Sequence, residues 1–67
     1  MNTRERMNER QKAKDFFADL LPSERWELGD QLVLGEVDWE WWFGKKPSRA
    51  FLDELDYQRI LWEQIQI

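Results

Sequence analysis

The sequence predicts a mostly α-helical domain, and three observations carry that expectation. Apolar residues recur at helical spacing before Pro22, between Pro22 and Gly35, and after Ser48. Residues that start and stop helices stand at the edges of those stretches. One short segment, "EVDWEWWF", alternates with a period of two. The expected architecture is three helices, at about 4–21, 23–34 and 48–65, with an extended Trp-rich connector between the second and third. The alternative is an α+β fold, with a β-hairpin at 31–34/37–41 packed on the N- and C-terminal helices.

The first helix follows from a run of helix formers broken only at Pro22. Ala13, Phe16, Phe17 and Leu20 share one face. The half before Ala13 is polar all round except for Met7, so residues 1–12 read as a charged arm that frays or projects. In "PSERWELGDQLVLG", Ser23 is the expected cap, Glu24 occupies the favourable first turn, and Gly35 ends the helix in the left-handed conformation. Leu28, Leu32, Gly29, Val33 and Trp26 form its apolar arc. Arg25 falls inside that arc, with its stem along the surface and its head in water.

The hairpin alternative uses Gly35-Glu36 as a two-residue loop with glycine first. In either reading, Val37, Trp39, Trp41 and Phe43 point one way, while Asp38, Glu40 and Trp42 point the other. Trp42 is then the ring left outside, among carboxylates. "GKKPS" reads as a loop, and Ser48 caps the last helix. Phe51, Leu55, Leu61, Trp62 and Ile65 form the core stripe of that helix; Tyr57, Ile60 and Ile67 lie away from it, as a second apolar face.

Composition narrows the function. A chain of 67 residues forms one domain, 1–67. It hides only about 60% of the surface its unfolded form exposes, so stability rests on dense apolar packing. Cysteine and histidine are both absent. That removes disulfides, thiolate chemistry, and the commonest general base and metal ligand. Ser23 and Ser48 have no histidine to activate them, and Asp53, Glu54 and Asp56 lack an evident cleft. No glycine-rich phosphate loop or calcium loop is present. The expectation is a non-enzyme with no cofactor, no metal and no catalytic residues. No apolar run spans a bilayer and no apolar stretch follows the charged start, so a membrane partner and a secretory signal are not expected. A reducing cytoplasm is the expected location.

Charge is unevenly placed. Residues 1–14 carry five basic and two acidic side chains, residues 15–40 one basic and eight acidic, and residues 41–67 four of each. Glu24, Glu27, Asp30, Glu36, Asp38 and Glu40 read as an acidic docking surface with Trp42 as its anchor, because Trp is enriched at interface hot spots. Tyr57 and Ile60 add exposed apolar groups. The expected function is a small protein-binding module, an inhibitor or adaptor. Its expected partner is a protein with a basic surface, such as a nucleic-acid-handling machine whose groove an acidic mimic would fill. Phage and mobile-element antagonists of host defence share this size and charge, by analogy alone.

Two alternatives remain open. Arg4, Arg6, Arg10, Lys12, Lys14, Lys45, Lys46 and Arg49 would contact nucleic acid directly if they converge on one side. The net charge of −4 argues against that. Tyr57 and Ile60 would otherwise serve as a seam for homo-oligomer assembly.

Overall fold

A computed structural model describes residues 2–66. Ile67, assigned above to the second face of the last helix, lies outside them. Four helices form among the described residues: α1 (Thr3–Asp19), α2 (Pro22–Leu34), α3 (Trp39–Phe43) and α4 (Arg49–Gln66). The mostly α expectation holds. The hairpin does not form, because residues 31–34 complete α2 and the chain opposite them is helical from Trp39 onward.

Local chemistry sets each boundary. The Asn2 side chain accepts from the Glu5 N–H at 2.9 Å and caps α1. Leu20 and Leu21 are extended, as residues ahead of a proline tend to be. Pro22 then opens α2 at a position where its missing N–H costs nothing. Ser23 lies inside α2 and is not the cap residue. The cap position is Leu21, and its own N–H donates to the Glu24 side chain, which reaches back to it at 2.8 Å. Gly35 closes α2 at φ 73°, and Glu36 N–H bonds back to Gln31 O at 3.0 Å. Ser48 caps α4 as expected, its Oγ accepting from Phe51 N–H at 3.2 Å.

α4 is the spine. Ser48 Oγ also donates to Glu9 of α1 at 3.2 Å, and at the other end Phe17 of α1 meets Trp62 edge to face at 6.1 Å. Those two contacts make α1 and α4 run side by side in the same direction. α2 runs the opposite way along α4. Trp26 meets Trp62 at 4.8 Å, and Gly29 faces Arg59 and Glu63. A Cβ at Gly29 would come within 3.0 Å of Glu63 Oε1, so the missing side chain lets α2 approach.

The core joins all three long helices through Ala13, Phe17, Leu28, Phe51 and Leu55. Leu28, Phe51 and Leu55 are the large side chains wholly removed from solvent, each contributing about 1.5–3 kcal/mol by burial. Phe16, Leu20, Leu32, Val37, Trp39, Trp42, Phe43 and Trp62 pack around them, partly buried. The expected core face of α4 is shorter than its sequence stripe, since Leu61 and Ile65 stand exposed. Of the helices described, none is long and apolar enough to cross a membrane.

Candidate interaction surface

The Trp-rich segment is a short helix, and this corrects the extended connector. Asp38 Oδ1 accepts the Trp41 N–H at 3.3 Å, capping α3. Gly44, at φ 84°, returns its N–H to Trp39 O at 3.0 Å and to Glu40 O at 3.1 Å. Between these two stops the chain completes one turn. Residues i, i+3 and i+4 share a helix face, so Trp39, Trp42 and Phe43 turn inward together. Phe43 reaches Phe51 at 4.7 Å and Phe16 at 5.7 Å.

The outward ring is therefore Trp41, not Trp42. Trp41 is 68% exposed, while Trp42 is half-buried and donates its indole N–H to Gln31 Oε1 of α2 at 2.9 Å. The two rings meet edge to face at 4.7 Å, a favoured aromatic geometry. Trp42 thus ties α3 to α2 and backs the ring that projects. Period-two alternation failed because a helical turn selects different neighbours from a strand.

The acidic residues are distributed over α2 and the α2–α3 corner. Glu27, Asp30, Glu36, Asp38 and Glu40 are exposed; Glu24 is half-buried through its bond to Leu21. None of the six enters an ion pair among the described residues, where the pairs are Lys12–Glu9, Arg49–Asp53, Arg59–Asp56 and Arg59–Glu63. Asp38 has a structural duty as a cap, which the charge pattern alone did not reveal. Val33 and Leu34, at the end of α2, are also largely exposed. Sequence reasoning placed Val33 in the core arc, yet that arc is wider than the strip α4 covers. Tyr57 and Ile60 are exposed, at 55% and 40%, on the side of α4 away from the core stripe.

Two arginines do structural work. Arg25 does not hold its head in water. Its guanidinium donates to Phe17 O at 3.2 Å and Ala18 O at 3.0 Å, satisfying the last turn of α1, and lies over the Phe17 and Trp62 rings. Arg59 is 13% exposed and bonds both Asp56 and Glu63. Burial works against its charge. The hydrogen bond and negative charge of Asp56, with those of Glu63, outweigh that and raise its pKa further above its ordinary value.

The basic residues separate into groups. Arg6 and Arg10 of α1 meet Arg49 and Ala50 of α4 around one open pocket of about 370 Å³ that also contains Asp53. Lys46 and Arg49 line a neighbouring groove of about 670 Å³ with Leu32, Val37, Trp39 and Leu52. Lys14 stands one turn beyond Arg10 on α1, beside Phe17, Trp62 and Ile65, and Lys12 pairs with Glu9. Arg4 and Lys45 are exposed, outside these groups. No protein-family model, curated protein or solved structure matches this chain.

Proposed function

We propose that this protein is a small, non-catalytic protein-binding module, an inhibitor or adaptor, that docks on a partner with a basic surface. The observation that carries this reading is Trp41, a large ring held outward on a turn capped at both ends, with the exposed carboxylates of Glu36, Asp38 and Glu40 in the chain just before it. An indole so held loses little conformational freedom on binding, which favours it as an anchor. Trp42 supports it from behind. Glu36, Asp38 and Glu40 give the approach its charge, and Glu24, Glu27 and Asp30 extend the same sign along α2, so encounter with a basic surface would be steered. A cytoplasmic nucleic-acid-handling protein is the partner class we favour, with the acidic face competing for its phosphate-binding groove. Tyr57 and Ile60 form a secondary contact area.

The test is quantitative affinity capture from host lysate with wild type, Trp41→Ala, and a Glu36→Lys/Glu40→Lys pair combined with Asp38→Asn, which keeps the α3 cap. The expected result is one basic protein retained by wild type, displaced by single-stranded DNA, and lost about tenfold or more with either variant. Retention unchanged by Trp41→Ala contradicts the reading.

A further inference from the structure

The acidic docking surface leaves the basic side chains without a role, and the fold gathers several of them where the sequence holds them about forty residues apart. Arg6 and Arg10, one turn apart on α1, and Arg49, in the first turn of α4, border the same open pocket of about 370 Å³. Glu9 fixes this meeting of helices through its bond from Ser48 Oγ, and its other oxygen takes Lys12. Asp53 is the one carboxylate that lines the pocket, and it is paired with Arg49 at 3.2 Å. Arg6 and Arg10 enter no ion pair among the described residues. The adjoining groove that Arg49 also lines sets Lys46 against Asp53 and Asp56, so the excess of positive charge is confined to the pocket.

We infer that Arg6, Arg10 and Arg49 form a contact site for the phosphodiester backbone of a single nucleic-acid strand. Guanidinium groups bind phosphate oxygens through paired N–H donors. All three arginines are exposed, so no one of them supplies a desolvated cradle able to grip a small phosphate by itself. Affinity would come from several weak contacts along a chain of phosphates, each releasing counterions. That favours a strand over a free phosphate ion. The site lies on α1 and α4, and it stands independently of the protein-binding reading on α2 and α3.

Fluorescence anisotropy with fluorescein-labelled oligo(dT), titrated at several salt concentrations, tests it on the full chain. Three strand contacts predict a slope of about −2 in log K against log salt, and each of Arg6→Gln, Arg10→Gln and Arg49→Gln should reduce the slope by about 0.7. Asp53→Asn should tighten binding more than Glu27→Gln, although both remove one negative charge. Circular dichroism confirms that each variant is folded. Three results would overturn the inference: no oligo(dT) binding at low salt, a salt slope unchanged by the three arginine variants, or equal tightening by the two acid variants. Pyrophosphate or anionic phosphatidylserine vesicles matching oligo(dT) in affinity, with the same arginine dependence, would overturn the assignment to a strand.

Discussion

The α4 spine and the α3 turn use similar aromatic residues to opposite ends. In α4, Phe51 and Leu55 vanish among neighbours from α1 and α2, and their positions follow from a long apolar stripe. α3 has five residues and no buried one. Its shape is decided by Asp38 before it and Gly44 after it, and its rings divide between support and display. Long elements are specified by the face they bury, short ones by their ends.

The largest way to break this comparison is at the spine. Phe51→Ala should cost about 3–5 kcal/mol and unfold most of a chain with so small a margin, read as a collapsed midpoint in urea melts. If Phe51→Ala is as mild as a surface change, α4 is not the centre of the fold. Arg25→Ala removes two bonds to α1 carbonyls and the cation over two rings. A loss of about 1–3 kcal/mol is expected from the same melts. At α3, Gly44→Ala should cost about 1–2 kcal/mol through backbone strain alone, since the space around it is open. Smallest of all, Trp41→Ala should change stability by no more than about 0.5 kcal/mol while weakening partner capture.

The same contrast explains what the sequence disclosed. Three long helices were legible within one or two residues because their periodicity and caps agree: Gly35 and Ser48 act as their types suggest. Ser23 misled because Pro22, one residue earlier, already suits the first helical position and Glu24 can reach back. The Trp segment misled for a physical reason. Val37, Trp39, Trp41 and Phe43 satisfy a period of two, but Trp39, Trp42 and Phe43 satisfy the helical rule equally well. The deciding marks were Asp38 as a cap and Gly44 as a stop, both present in the string. The acid content of α2 and the α2–α3 corner was legible as composition, which by itself does not distinguish the capping duty of Asp38 from the rest. The meeting of Arg6 and Arg10 with Arg49 depends on α1 and α4 running in the same direction. Nothing local in the sequence encodes that.

The claim underlying the proposed interface is that Trp41 projects and Trp42 anchors. Solvent paramagnetic relaxation of the assigned indole N–H resonances measures this directly. Strong relaxation at Trp41 with a protected, hydrogen-bonded Trp42 is the expected pattern. The reverse, with Trp42 relaxed and Trp41 shielded, would restore the alternating strand and contradict the helical turn.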